Sequence, residues 1–432
     1  MKDLAQHIQS TPLMDTHEHQ NKEKTYLESG PDILTDLFFG YPANDLLSAG
    51  APLKAVEHLM DSADPDLEAR WNGVKNFWPH CQYSGYGWAV RYMAREIYGI
   101  EELTLQAIEA AQPISEQRRQ PGERLRILRD DANLDHIQVD DFTWECAPDR
   151  SGPDFFLYDL SWVRYARGNL DFEGLRQVGS VDVADPETLR QAYAGVFAAY
   201  GDCAIAVKSQ HAYERTLFWQ ERGDAEIAPL IEKLRQGGTL DEAETQCLGD
   251  WSLARGVELA IEHNLPVKIH TGYLAGVNNA MHYDRLSPAN LSPLLARYPA
   301  ARFVLMHLGY PYTDEMIALA KHFTNVYVDL CWAWSINPLA SSDFVRRFLH
   351  AVPINKLFIF GGDTFWPSQS VAFAAQARLW LTRTLQAEID ADFLSEQEAI
   401  NLATRLMQGN QRDCFDLDGT RAALHTQLAV AD

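Results

Sequence analysis

From about residue 180 to residue 363, a helix-patterned segment hands over to a short apolar run five times in succession. The pairs are DPETLRQAYAGVFAAYG into CAIAVK, SLARGVELAIEHN into LPVKIH, LSPLLARYP into ARFVLMH, TDEMIALAKHF into NVYVDL, and SDFVRRFLHAVP into KLFIFGGD. Asp185 followed by Pro186 marks the start of the first of these helices. Strands joined through helices by short connections run parallel, each crossover carrying the chain back to the end where the previous strand began. Taking KLFIFGGD as an eighth strand makes LMDTH the first, IQVDD the second and FFLYDLSW the third. The expected fold is α/β: a (β/α)8 TIM barrel with a long helical insertion after strand 1 and a C-terminal helical extension.

Six polar residues fall where these strands stop: His17 and His19 in PLMDTHEHQ, Lys208 in CAIAVKSQ, His270 in LPVKIHTG, His307 in RFVLMHLGYP, and Asp363 in LFIFGGDT. In a parallel barrel the carboxyl ends of all strands open on one face, so the six converge there. Imidazole nitrogens and carboxylates are ligands of zinc and other divalent ions, and this set suits one ion or two. Side chains two apart share a side of a strand, so His17 and His19 can bind one ion together while Thr16 and Glu18 face away. Asp15 can orient a ligand from behind. Gly361 and Gly362 let the backbone approach closely and turn Asp363 inward. Lys208 leaves three readings open: a carbamylated lysine bridging two ions, a substrate-binding ammonium, or no role. A single strand-end histidine is usually structural; all of them falling in register is what points to a metal-dependent enzyme.

The 432 residues are read as one domain, 1–432, with an insertion over 20–130 as a lid or oligomer-contact region, and a homo-oligomer is expected. A shorter insertion spans roughly 209–250. The net charge of −23 argues against a nucleic-acid partner. No run of about 18 apolar residues exists to span a membrane, and MKDLAQHIQS lacks a signal peptide's apolar core. Six cysteines without CxxC spacing fit reduced thiols, so a cytoplasmic location and a small-molecule substrate are expected. Tyr213 and Arg215 are candidates for gripping a substrate carboxylate. Trp78, Trp332 and Trp366 are candidate pocket walls, with His80 and His282 in segments that can cover the mouth.

The HEH of strand 1, the lysine of strand 4, the histidines of strands 5 and 6 and the aspartate of strand 8 resemble the amidohydrolase superfamily. CAIAVKSQHAYERTL, VKIHTG, SPANLSPLLARYPAARFVLMHLGYPYTDEMIALAKHFTNVYVDL and GGDTFWPS are similar to its nodulin-type branch, while WNGVKNFW, YGIEEL and DLCWAW resemble uronate isomerases. The resemblance covers about residues 180–370 and strand 1. It implies a distorted barrel holding zinc or another divalent metal as one or two ions. His17, His19, His270 and Asp363 would bind the first, and His307 would bind a second or polarise the substrate carbonyl. It implies hydrolysis of an amide, ester or lactone bond of a small acidic substrate, with Asp363 moving the proton. Sugar-acid isomerisation and nonoxidative decarboxylation are the alternatives on the same site.

Overall fold

The protein is described here from a computed structural model, which covers residues 2–277 and 283–431; His282 lies outside the described residues. The strand segments are β1 (Leu13–Glu18), β2 (Leu134–Val139), β3 (Phe156–Tyr158), β4 (Leu160–Ser161), β5 (Val207–Ser209), β6 (Val267–Ile269), β7 (Phe303–Leu305), β8 (Val326–Asp329) and β9 (Leu357–Phe358). They form two ladders, β1-β2-β3 and β4-β5-β6-β7-β8-β9, and every pairing is parallel. Only Asp159 separates β3 from β4: its N–H donates to the carbonyl of Val139, while that of Leu160 turns to Ala206. The third predicted strand is thus one strand that changes partner midway.

The remaining gap is bridged by irregular backbone hydrogen bonds between β1 and the segment after β9. Thr16 donates to Phe360 at 3.1 Å, Asp363 to His17 at 2.9 Å and His19 to Thr364 at 3.0 Å. Eight strands therefore surround one core, as the helix–strand alternation predicts. The strands are shorter than the apolar runs: only Val207–Ser209 of CAIAVKSQ and Leu357–Phe358 of KLFIFGGD are regular ladder. Beyond Phe358 the chain follows β1 on a different register, and Gly361 and Gly362 bend it.

The crossover helices begin as their caps dictate. Asp185 accepts from the N–H of Thr188, Thr188 Oγ1 accepts from Asp185, and Pro186 opens Pro186–Tyr200. Asp241 and Glu244 repeat the device at the start of Glu242–Glu262. The stretch read as a 209–250 insertion is largely helical, because that helix starts earlier than its apolar pattern and Asp224–Arg235 precedes it. The long insertion is helical among its described residues, with Ile33–Phe38, Tyr41–Ser48, Gly85–Tyr92 and Leu105–Arg118 its main apolar contributors. The C-terminal extension packs at the opposite end from the strand-end residues. Gln408 Nε2 donates to Pro12 just before β1, and Asn410 Nδ2 to Leu357 at the start of β9.

Candidate metal centre

β1 and the turn after β9 bring three side chains to one point. Asp363 Oδ1 lies 3.3 Å from His17 Nε2 and 3.3 Å from His19 Nε2. Asp363 adopts φ +58°, a left-handed backbone that aspartate tolerates better than most residues. Its turn is gripped from β1. Glu18 accepts from the N–H and Oγ1 of Thr364 and from Ser370 Oγ, and Asp15 accepts from the N–H of Gly362. A Cβ on Gly362 would come within 2.1 Å of Glu18 Oε1, so only glycine fits beneath that carboxyl. Burial, then the neighbouring Glu18, pushes Asp15 up, and burial pushes Glu18 up to about 7.

Backbone carbonyls set the imidazole tautomers. His19 Nδ1 donates to the carbonyl of Asp140 (2.6 Å), His307 Nδ1 to that of Cys331 (3.0 Å) and His270 Nε2 to that of Tyr273 (2.9 Å). A carbonyl only accepts, so each of those nitrogens carries the proton and the other ring nitrogen of a neutral imidazole presents a lone pair. Burial, with the Lys208 charge nearby, holds His17 well below the usual imidazole range. Burial, then His307 and Lys208, does the same to His270, and burial holds His307 down to about 4. With its proton on Nδ1, a neutral His19 turns the Nε2 lone pair toward Asp363 Oδ1 at 3.3 Å, a contact that a cation between them would satisfy.

The donor atoms of His17, His19 and Asp363 lie within 4.8 Å of one another, as do those of His307, Cys331 and Asp363. His307 Nε2 is buried with no hydrogen-bond partner among the described residues. Nitrogen, oxygen and sulfur donors at this spacing fit a divalent ion of the zinc type. His270 is in neither set; its ring lies 4.3 Å from that of His307. With its proton on Nδ1, neutral His307 carries a lone pair and no proton at Nε2.

Lys208 is fully buried with Nζ 3.2 Å from His17 Nε2. A second buried lysine, Lys268, sits inside its strand rather than at the strand end. It lies directly across from Lys208 in the β5–β6 ladder. Its Nζ donates to both oxygens of Asp159 (2.8 and 2.9 Å) and to the Thr16 carbonyl, beneath His17. Asp159 Oδ2 comes within 3.9 Å of His17 Nδ1. The signal was in LPVKIH, since a lysine inside a two-sided apolar strand must find a buried anion.

The substrate-wall candidates divide. Trp332 lies beside His307, its ring centroid 5.5 Å away, and Tyr213 beside His270 at 4.8 Å. Trp78 packs edge-on against Phe38 and lines a groove of about 540 Å³ with Glu68, Asn72 and Thr104, which none of the six strand-end residues enters. Trp366 packs on Tyr26 and Phe39. His80 is exposed on the short helix Trp78–Cys81. The insertion reaches the site through two residues the sequence did not mark. Tyr41 donates its hydroxyl to the Asp363 carbonyl (2.8 Å) and stacks on Trp332 at 4.5 Å, and Tyr86 stacks on Tyr41 at 5.4 Å. Phe142 and Phe365 stack on His19.

Arg215 is committed elsewhere. It donates to Asp250 Oδ1 (3.0 Å) and to the Ala166 carbonyl (2.6 Å), so the expected grip on a substrate carboxylate is spent on an internal ion pair. Burial outweighs Arg215 and Arg222 and pushes Asp250 up to about 6. A raised carboxyl stabilises the fold fully below its unfolded pKa near 4, and that contribution is lost as pH rises through about 6. Unfolding free energy should therefore lose up to about 3 kcal/mol from this group between pH 4 and 7. Denaturant titrations of wild type and Asp250→Asn at both pH values check this; parallel profiles would show that the arginines hold the carboxylate ionised.

Residues 219–400 match the amidohydrolase family model, a span that contains His270, His307 and Asp363. The protein fluG of Emericella nidulans is 27% identical over 261 residues, covering 55% of this chain and 29% of fluG, so the chain spans less than a third of that relative. Over the whole fold, the uronate isomerase of Thermotoga maritima superposes with a TM-score of 0.79 at 14% identity, covering 96% of each chain. The glucuronate isomerase of Caulobacter crescentus gives 0.78 at 17% identity, covering 96% of this chain and 94% of the other. The match over residues 219–400 supports the resemblance to the amidohydrolase superfamily, and the two solved structures share the fold.

Proposed function

We propose that this chain is a metal-dependent hydrolase that cleaves an amide, ester or lactone bond of a small, acidic substrate. The observation that carries the reading is the lone pair of His19 Nε2, fixed by the Asp140 carbonyl, facing Asp363 Oδ1 at 3.3 Å. That arrangement calls for a cation, and His17, His19 and Asp363 are the residues that would hold it, with His270 and His307 beside them. Bound there, zinc or another divalent ion supplies Lewis acidity and lowers the pKa of water to near 7. Asp363 has the position to accept a proton from the attacking water and deliver it to the leaving group. Lys208 aims at the same point as His17 Nε2, and an ammonium there would repel a dication; a carbamylated lysine resolves the conflict by reversing its charge. Tyr41, Tyr86 and Trp332 wall the mouth, which gives the 20–130 insertion the role of a cover.

A second reading, sugar-acid isomerisation, is favoured by the whole-length likeness to two uronate-type isomerases, whose alignment takes in the insertion as well as the barrel. Isotopically labelled water separates the two. Screening amides, lactones, γ-glutamyl compounds and uronates identifies a turned-over compound, which is then converted in water carrying heavy oxygen and, separately, in deuterated water. Hydrolysis places heavy oxygen in a product carboxylate. A product of unchanged composition with deuterium on carbon, or released carbon dioxide, would replace the hydrolytic reading with isomerisation or decarboxylation.

A further inference from the structure

Cys331 is a residue the superfamily resemblance does not assign. It follows β8 by two positions, is fully buried, and touches two parts of the site at once. Its carbonyl accepts from His307 Nδ1 at 3.0 Å, which leaves His307 Nε2 as a buried lone pair without a hydrogen-bond partner among the described residues. Its Sγ belongs with a ring nitrogen of His307 and a carboxylate oxygen of Asp363 to a set of donor atoms within 4.8 Å of one another. Room for the sulfur comes from Gly361, where a Cβ would approach Sγ to 2.8 Å. The backbone of Cys331 is fixed too, its N–H donating to Asp329 Oδ1 at 2.8 Å.

We propose that Cys331 Sγ, His307 Nε2 and Asp363 form a second cation subsite selective for a thiophilic divalent ion such as zinc or cadmium. Asp363 is common to this subsite and to the His17–His19 subsite, so its carboxylate bridges the two. On binding, the thiol proton leaves to solvent and a sulfur–metal bond replaces the S–H bond. The donor set defines the selectivity: a thiolate favours zinc, cadmium and cobalt over magnesium and calcium, whose ligands are oxygens.

The inference rests on the proposed metal-dependent reading, and titration of metal-free protein with cobalt(II) chloride tests the two separately. Cobalt bound by a thiolate absorbs in the near ultraviolet through sulfur-to-metal charge transfer, whereas cobalt bound only by nitrogen and oxygen does not. The wild type should bind two equivalents, with the charge-transfer band developing as the second binds. Cys331→Ser should bind one equivalent with no band, at an unchanged far-ultraviolet circular dichroism spectrum. Magnesium chloride in large excess should leave the band in place. One equivalent without a band in the wild type overturns the thiolate subsite and leaves the metal-dependent reading standing. No cobalt bound at all overturns both. Because the wild-type spectrum alone decides the thiolate contact, a poorly folded serine variant does not shield the proposal, and His307→Gln offers a second route to losing the same band.

Discussion

Asp363→Asn is expected to abolish retention of a divalent ion and to lower turnover by roughly a thousandfold or more. Asparagine is the informative replacement. It tolerates the left-handed backbone that Asp363 adopts at φ +58°. The contacts that hold the turn are made by backbone atoms: Tyr41 donates to the carbonyl of residue 363, whose N–H donates to His17. The loop should stay in place while the negative charge facing His17 and His19 is removed. A neutral amide binds a dication weakly and cannot shuttle a proton at neutral pH, so affinity and chemistry fall together. Elemental analysis after desalting, read beside the melting temperature, is the measurement. A variant that keeps a full equivalent of metal would remove Asp363 from the ligand set.

Lys268→Met is expected to destabilise the fold by about 3–5 kcal/mol. The ammonium satisfies both oxygens of Asp159 and the Thr16 carbonyl, and neither partner of the ion pair reaches solvent. Methionine fills similar volume, so little of the loss would come from a cavity. Asp159 must then carry an unpaired buried charge or take up a proton, and either costs free energy. Adding Asp159→Leu removes the stranded charge and should recover part of the loss, because a buried ion pair is worth far less than the penalty of breaking it on one side. Denaturant midpoints of both variants test this. A single-variant cost below about 1 kcal/mol would show that Asp159 is relieved by another route.

The helix–strand alternation made the parallel order legible from about residue 180, because buried strands between amphipathic helices leave a strong pattern, and counting back from KLFIFGGD placed IQVDD and FFLYDLSW. Strand length was not legible. Ladder register is set by barrel tilt, so β3 and β4 divide at Asp159 inside the single run FFLYDLSW. Convergence of His17, His19 and Asp363 could be read because strand ends share a face. The place of His270 could not, since it depends on the Tyr273 carbonyl taking Nε2, a contact made by the local turn. The ion pair of Arg215 was not legible, because its partner, Asp250, lies 35 positions away on the helix Glu242–Glu262. Trp78 and Trp366 were chosen for size and neighbourhood, whereas Tyr41 and Tyr86 reach the mouth through the insertion's own path, which no local pattern records.

The Tyr41 hydroxyl and the Asp363 carbonyl it meets are 322 positions apart, and Thr16 reaches Asp329 across 313. Contacts this distant in sequence form slowly, since the entropy of closing the intervening chain is lost before the contact repays it. The helices need no such closure, and the strand pairs from β2 onward close far shorter stretches of chain. During folding, the mouth of this barrel is therefore a late arrival: a chain with nearly complete secondary structure still lacks the junction that aligns Asp363 with the two histidines. Alignment of Asp363 with His17 and His19 marks the end of folding, and the final latch is fastened by a tyrosine from outside the barrel itself.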